Sequence, residues 1–412
     1  MKRKKFQNKK DVEEKMLTQI QFYDKDVVKN TLGVITNKPD KVVFIYDCAI
    51  NDMNRFKSLE KCFKRHLPNI IMEKYPVNIL KINEIYKTVR GIIEKNDNCI
   101  VELTGGSELM TIAGFKAGRD MGTRLVYTDI LAERVMDLND STKDIHTEEL
   151  TLEDFVDARG ACFVGNSHSG PPEELFDKIL EMCQIIFRNI KLWRDTCAYF
   201  QTAMANSAPE YCVFHAKYEI SQKDGKKVTA DRRMIDYFER LGFIKNLYYG
   251  ERYIDFEILS PQIKSYMISY GVWLELFVYI NAKRTGVFKD VRLGTMIDWD
   301  AYDGIDAAEN EIDVIFMDKS MPVFVSCKLR DANTAALNEL LIEKKRIGGW
   351  FSKSIIVAFG ESSTMGAGTY KRAREYGIEI LDKDDIMSDD FCQKLLDTVR
   401  GSNPLNLKWK KV

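Results

Sequence analysis

Residues Asn310 to Lys328, NEIDVIFMDKSMPVFVSCK, admit few folds: they read as two apolar strands joined by a short turn. Strand side chains alternate between faces, so Glu311 shares a face with Asp313, and Ser326 shares one with Lys328. Ile312, Val314, Phe316, Val323 and Val325 read as buried packing between them. Asp318 to Pro322 supplies the turn, with Pro322 opening the second strand. Strands this apolar belong inside a sheet. Two carboxylates and an ammonium projecting from adjacent strands suit a hard divalent cation and offset charge on a phosphate. The alternative is an amphipathic hairpin whose polar face is simply wet.

A chain of 412 residues is too long for one ordinary core and implies two or three domains. The net charge of −1 gives no global pull towards nucleic acid, so any such binding comes from local patches. Nine cysteines without a C-x-x-C pair read as buried thiols in a reducing cytoplasm, and four scattered histidines argue against a histidine-rich metal site. No apolar run reaches membrane-spanning length and no signal peptide is visible, so the expectation is a cytoplasmic protein with no membrane partner. Lys2, Arg3, Lys4, Lys5, Lys9 and Lys10 form a basic tail over residues 1–15, read as a solvated segment, an upstream start ahead of Met16, or a nucleic-acid arm.

From Leu17 to Leu138 strands and helices alternate. TQIQFYD, KVVFIYD, VNILKI, CIVELT and RLVYTDI are strand-like. Helical periods run over Asp26–Asn37, Asp52–His66, Asn83–Lys95 and from Leu109 to Asp120. That order predicts an α/β class: a parallel, Rossmann-like sheet with helices on both faces, over residues 16–150. Residues 151–208 read as a connector and a long helix: Thr151 to Gly170, with GNSHSGPP as the loop-rich core, then a helical stretch after Pro172 to about Ala203. A helix over Thr229–Leu241 followed by the hairpin-like FIKNLYYGERYIDFEI suggests a winged-helix-like segment over 209–262. From 263 to 412 the pattern is helix (Ser265 to Ala282), three strands, helix (Thr334 to Ile347) and strand, an α/β module centred on the hairpin.

That α-β-β-β-α-β order, with an acid on the second strand and a lysine ending the third, resembles the restriction-endonuclease-like PD-(D/E)xK fold. The resemblance implies Mg²⁺ or Mn²⁺ bound by Glu275 in GVWLE, Asp313 in NEIDV and the backbone carbonyl of Cys327, with Lys328 beside them. Such a cation polarises the scissile phosphate and lowers the pKa of an attacking water, while Lys328 orients that water or offsets developing charge. One departure matters. Where that family commonly has Glu or Asp two residues before the lysine, this chain has Ser326, a poor metal ligand, and Glu311 is the substitute on the same strand face as Asp313. The competing reading is an inactive nuclease fold. Against it, an uncompensated ammonium at the end of an apolar strand is costly, so Lys328 needs a purpose. Asn338 and Glu339, on the next helix, approach the site or lie on a solvated face.

Thr104-Gly105-Gly106-Ser107-Glu108 lies at a strand-to-helix junction. The glycines let backbone N–H groups approach a phosphate, and the helix amino terminus adds a favourable dipole. Ser107 and Glu108 equally fit as the N-cap and first turn of that helix. A Rossmann-like domain with TGGS, a connector, then GVWLE, NEIDV and SCK, resembles the CRISPR-associated CARF-domain nucleases over nearly the whole chain. That resemblance implies a homodimer that binds cyclic oligoadenylate, usually cyclic tetra-adenylate, across its two-fold axis, and then degrades DNA or RNA with little sequence preference. It places Thr104 to Glu108 in the ligand pocket, with Tyr23, Asp24, Asp47 and Cys48 at the carboxyl ends of neighbouring strands. There the acids contact ribose hydroxyls or adenine amines, or cap helices.

Lys223, Lys226, Lys227, Arg232 and Arg233, with Lys344, Lys345 and Arg346, are the basic clusters available to a phosphate backbone. Tyr248, Tyr249 and Tyr253 stack on unpaired bases or on their own hairpin. The rival functions are a CARF-type transcription regulator binding duplex DNA through the winged helix, and a ring nuclease that degrades the cyclic messenger. A nucleotide-dependent oxidoreductase lacks the phosphate fingerprint.

Overall fold

Residues 15–51, 53–302, 304, 310–347, 351–360 and 362–401 are described by a computed structural model; most of the basic tail lies outside the described residues. The chain divides into two compact units, residues 1–149 with 157–160, and residues 150–156 with 161–412.

In the first unit, the strands are β1 (Leu17–Phe22), β2 (Lys41–Asp47), β3 (Ile71–Val77), β4 (Asn98–Glu102), β5 (Arg124–Asp129), β6 (Arg134–Asp137) and β7 (Ile145–His146). They form one sheet in the order β3-β2-β1-β4-β5-β6-β7. The first five pair in parallel, and β6 and β7 add an antiparallel extension. The intervening helices are α1 (Val27–Asn37), α2 (Asn54–His66), α3 (Ile82–Glu94) and α4 (Glu108–Asp120). On one face Ile20, Phe22, Val43, Ile45, Val101 and Leu103 pack against Ile85, Val89 and Ile92 of α3 and Met110, Ala113 and Ala117 of α4. On the other, Phe44 meets Phe56 and Phe63 of α2. The Rossmann-like expectation therefore holds, with one strand displaced. VNILKI is not the third strand; IMEKYPV is, and its partly exposed residues sit at the sheet edge, where Pro76 does no harm to the ladder.

The stretch read as a connector contains a helix, α5 (Leu152–Arg159), and a strand, β8 (Cys162–Asn166). The long helical stretch is two helices, α6 (Phe176–Arg188) and α7 (Ile190–Met204), broken at Asn189, whose φ of −130° leaves the helical region. Next come β9 (Val213–Lys217), β10 (Glu219–Ser221), β11 (Lys227–Thr229), α8 (Arg232–Arg240), β12 (Ile244–Tyr249) and β13 (Tyr253–Ile258). The sheet β12-β13-β9 and α8, which buries Met234, Ile235 and Phe238, give the helix-and-wing segment. The single helix expected from Ser265 to Ala282 is likewise two, α9 (Pro261–Met267) and α10 (Val272–Arg284), because Ser269, Tyr270 and Gly271 interrupt it. Helix α10 is apolar on nearly every side and runs through the core.

Around it are β14 (Lys289–Asp298), β15 (Asn310–Asp318), β16 (Met321–Lys328), α11 (Thr334–Ile347), β17 (Lys353–Ala358), α12 (Ser362–Tyr376), β18 (Ile378–Leu381), α13 (Lys383–Ile386) and α14 (Phe391–Gly401). The sheet order is β18-β17-β16-β15-β14-β8. The hairpin β15–β16 lies at its centre, in register Val314 to Val325 and Met317 to Pro322. Its turn is shorter than the sequence suggests: Lys319, at φ +59°, and Ser320 make the connection, and Met321 already pairs. Pro322 is tolerated because β17 begins pairing only at Val323.

Candidate functional site

Both faces of β15 are apolar through its centre, which leaves Glu311 and Asp313 near its entry as the polar positions. The β15–β16 register ends at Val314 and Val325, and beyond it Asp313 turns its carboxylate to the facing strand. Asp313 Oδ2 accepts from the Cys327 amide at 2.6 Å and from the Ser326 hydroxyl at 3.4 Å, and lies 3.6 Å from Lys328 Nζ. A strand residue directs its N–H and C=O to the same side. Since the Cys327 amide faces Asp313, its carbonyl faces that side as well, while the Lys328 carbonyl accepts from Phe359 on the other.

Glu275 stands in the first turn of α10. Its Oε2 is buried with no hydrogen-bond partner. Burial, then the charges of Asp313 and Glu311, push its carboxyl up to about 8, against the pull of Lys328. Burial also raises the Asp313 carboxyl, opposed by Lys328 and the Cys327 amide. Burial works to lower the Lys328 ammonium, but Asp313 and Glu339 together hold it above its ordinary value. Glu311 accepts a hydrogen bond from the Ser167 hydroxyl. Of the residues expected to act together, Glu275 is thus within electrostatic reach of Asp313, Glu311 and Lys328, and Asp313 of Lys328 and Glu311.

These residues suit a hard cation. Among the described residues no three His, Cys, Asp or Glu side chains converge as a ready cage. The available oxygens are two carboxylates and one main-chain carbonyl, with the orphaned Glu275 Oε2 as the group most in need of a positive partner. Without a cation, Glu275 keeps its proton at neutral pH. From the ordinary carboxyl range up to about 8 the folded chain binds a proton that the unfolded chain has lost, so stability falls as pH rises through that window. Glu275→Gln should therefore raise the melting temperature of the metal-free protein at pH 8.5, by about 1–3 kcal/mol of stability, with the gain shrinking towards pH 5. Calorimetry at the two pH values checks it; an equal shift at both contradicts it.

At the carboxyl end of β4, Gly106 takes φ +83°, and a Cβ there would lie 2.6 Å from Phe22 Cβ. Its amide donates to Asp24 Oδ2 at 3.2 Å, which joins the loops after β1 and β4 at the point where the strand order reverses. Asp24 also pairs with Lys29 at 3.2 Å and accepts from the Asp26 amide at 2.9 Å. Asp26, not Asp24, caps α1. Ser107 caps α4, and Glu108 occupies its first turn. Tyr23 packs on Phe56 at 5.1 Å. Asp47 accepts from the Ala49 amide at 3.0 Å, and the Cys48 amide bonds Val77, so this pair lies with β2 and β3 and makes no bond to the Asp24–Gly106 junction.

Sequence reasoning missed Glu102. It is fully buried, accepts from the Thr104 hydroxyl and from the Thr128 amide at 3.2 Å, and burial raises its carboxyl to about 7 against those hydrogen bonds. A lone acid at a strand end gives no signal of this; only the sheet packing does. Of the first basic cluster, Lys227 pairs with Glu219 at 2.6 Å, Arg233 with Asp231 at 3.0 Å, and Arg232 lies over Tyr218 and Tyr249. Lys223 and Lys226 are exposed. Tyr249 bonds Asp236, whereas Tyr248 is 65% exposed. The side chains of Lys344, Lys345 and Arg346 lie outside the described residues.

A mostly parallel α/β sheet with a glycine loop at its switch point, followed by a six-stranded sheet that carries acids and a lysine on one face, defines the class. Residues 26–155 match the Card1 CARF domain and residues 264–399 match the Card1-like endonuclease domain. The chain thus pairs a CARF domain with a Card1-like endonuclease domain. It is similar in fold to Can2 from Sulfobacillus thermosulfidooxidans, solved in complex with cyclic tetra-adenylate, with a TM-score of 0.67 and 17% identity over 93% of this chain and 99% of that one. It is similar also to protein VC1899 from Vibrio cholerae, with a TM-score of 0.74 and 14% identity over 94% and 99%. A third likeness, to a type III CRISPR defence DNA nuclease activated by cyclic oligoadenylate, has a TM-score of 0.50 and 15% identity over 84% of this chain and 46% of that one. None of the curated proteins matches the chain.

Proposed function

We propose that this protein is a nuclease of CRISPR antiviral defence, switched on by cyclic oligoadenylate and dependent on Mg²⁺ or Mn²⁺. The observation that carries the reading is Asp313 held between Lys328 and the Cys327 amide, with the unpartnered carboxyl of Glu275 in the same electrostatic field. Glu275, Asp313 and the Cys327 carbonyl would hold the cation. When bound, it supplies a Lewis acid for the phosphodiester and an acidified water. Lys328 offsets charge on the attacked phosphate, Ser326 steadies Asp313, and Glu311 adds negative potential that favours the cation.

Cyclic tetra-adenylate is the activator to test first, given the ligand in the Can2 structure. Thr104, Gly105, Gly106, Ser107 and Glu108 would line its pocket with Tyr23 and Asp24, and Asp47 and Cys48 border it. Because Asp24 already takes the Gly106 amide, it competes with a phosphate there and suits a ribose hydroxyl or adenine amine better. The working form is a homodimer: Ile112 and Phe115, one turn apart on α4 beyond the sensor loop, are 54% and 46% exposed, an apolar face suited to a second copy. No described helix is long and apolar enough to cross a membrane, and a cytoplasmic site of action fits a defence nuclease. A duplex-binding regulator is less well supported, since Lys227, Arg232 and Arg233 are tied to their own segment.

Binding of Mn²⁺ must displace the Glu275 proton, so its affinity should rise about tenfold per pH unit below 8 and level off above it. Titration calorimetry from pH 6 to pH 9 tests this, with Glu275→Gln removing the slope. A flat profile in the parent protein would place the cation elsewhere.

A further inference from the structure

Ser167 to Gly170, read from sequence as linker, is fixed to the endonuclease sheet. The Ser167 amide donates to Gly294 O at 2.8 Å, the Tyr266 hydroxyl donates to the Ser169 carbonyl, and Gln262 Nε2 donates to the Gly170 carbonyl at 2.9 Å. In the β14–β15 register Leu293 faces Val314 and Thr295 faces Ile312, which sets Gly294 opposite Asp313 and on the same face of the sheet. Gly294 has φ +55°, and a Cβ there would overlap the Ser167 hydroxyl and come within 3.0 Å of the His168 amide. The loop therefore fills the place of the missing side chain, beside Asp313, and from there Ser167 reaches Glu311.

His168 follows directly. Its Nδ1 is buried without a hydrogen-bond partner, and its ring packs edge-on against Tyr266 at 6.1 Å. Burial lowers its pKa against the pull of Glu311, so the ring is neutral at neutral pH. A neutral imidazole carries one N–H. An orphaned buried N–H is rarer than an orphaned acceptor, so the dry Nδ1 is the bare nitrogen and Nε2 carries the proton. The ring then offers an uncharged donor within the field of Glu311, on a loop that covers Gly294. Lys328 stands on the β16 side of Asp313, and the His168 loop on the β14 side.

We propose that His168 is a further substrate-contacting residue of the endonuclease centre, whose Nε2–H donates to a non-bridging oxygen of the phosphodiester held beside Asp313. The inference rests on the nuclease reading above. It assigns the phosphate a donor from each flank: the ammonium of Lys328 and the imidazole of His168. A neutral donor suits this flank because it binds phosphate without forming a competing ion pair with Glu311.

The test uses the full-length protein with Mn²⁺ and cyclic tetra-adenylate, on labelled single-stranded DNA and RNA. His168→Ala should lower kcat/KM tenfold or more, while Mn²⁺ affinity and melting temperature stay at parental values. His168→Gln, whose amide N–H lies near the position of Nε2, should recover at least threefold over alanine. A packing role would instead lower the melting temperature and treat both variants alike, and parental kcat/KM in His168→Ala overturns the assignment. Should the parent protein cut neither substrate, the nuclease reading fails separately. Fluorescence anisotropy of the same strands with Ca²⁺ then decides for His168: a fivefold or greater loss of affinity in His168→Ala supports it, and unchanged affinity rejects it.

Discussion

Asp313→Ala is expected to reduce metal-dependent cleavage by at least about 10³-fold, a loss of roughly 4 kcal/mol in transition-state stabilisation. The carboxylate does three things at once: it would hold the cation, it receives the Cys327 amide at 2.6 Å, and it fixes Lys328 at 3.6 Å. Its removal frees Glu275 from a neighbouring negative charge but takes a partner from the Cys327 amide and from Lys328, so the two effects oppose and the metal-free variant should remain folded at pH 8. Lys328→Ala differs in kind. It leaves Glu275, Glu311 and Asp313 without their cationic neighbour, so it should lose activity and also melt lower at pH 8 than at pH 5, with Mn²⁺ restoring part of the loss. Cleavage of circular DNA and thermal melting at two pH values read both outcomes. Parental cutting by Asp313→Ala would remove this face of the sheet from the chemistry.

The second large effect is expected at the sensor loop. Gly106→Ala places a Cβ at φ +83° and 2.6 Å from Phe22 Cβ, so the loop must move or Phe22 must yield. The strain is on the order of 1–3 kcal/mol, and it falls on the junction where the Gly106 amide meets Asp24. The concentration of cyclic tetra-adenylate for half-maximal cleavage should rise about tenfold or more, while the weak cutting of ligand-free protein at high concentration stays the same. A ligand shifts an equilibrium only through its different affinity for the two conformers, so a variant that binds poorly must activate poorly. Unaltered half-activation in Gly106→Ala would move the ligand away from this loop.

The central hairpin was legible because its apolar positions alternate with period two and a short polar turn separates its strands. The parallel half of the sensor sheet was legible for a related reason: buried strands and helices repeat in order, and each helix carries its own period. Glu275 came from the resemblance alone, since nothing in an apolar helix marks one acid as inward. The interruptions at Asn189 and at Ser269–Gly271 lie inside continuous helical periods, and tertiary packing breaks them. Strand β3 was misplaced because an edge strand with six partly or fully exposed residues looks less strand-like than the apolar VNILKI beside it. The hardest feature to read was the Ser167–Gly170 loop. Gly, Ser and Pro marked it correctly as irregular, but its place over Gly294 exists only once β8 pairs with β14. Glu102 was silent for the same reason, as its burial comes from sheet, helix and loop together.

The most direct test is one cleavage experiment on the purified full-length protein, with single-stranded DNA and RNA, in four conditions that include or omit Mn²⁺ and cyclic tetra-adenylate. Cutting of at least one strand type should require the metal and rise tenfold or more with the cyclic nucleotide. Equal cutting with and without the nucleotide, or no cutting of either strand when both are present, would contradict a cation-dependent endonuclease under the control of its CARF domain.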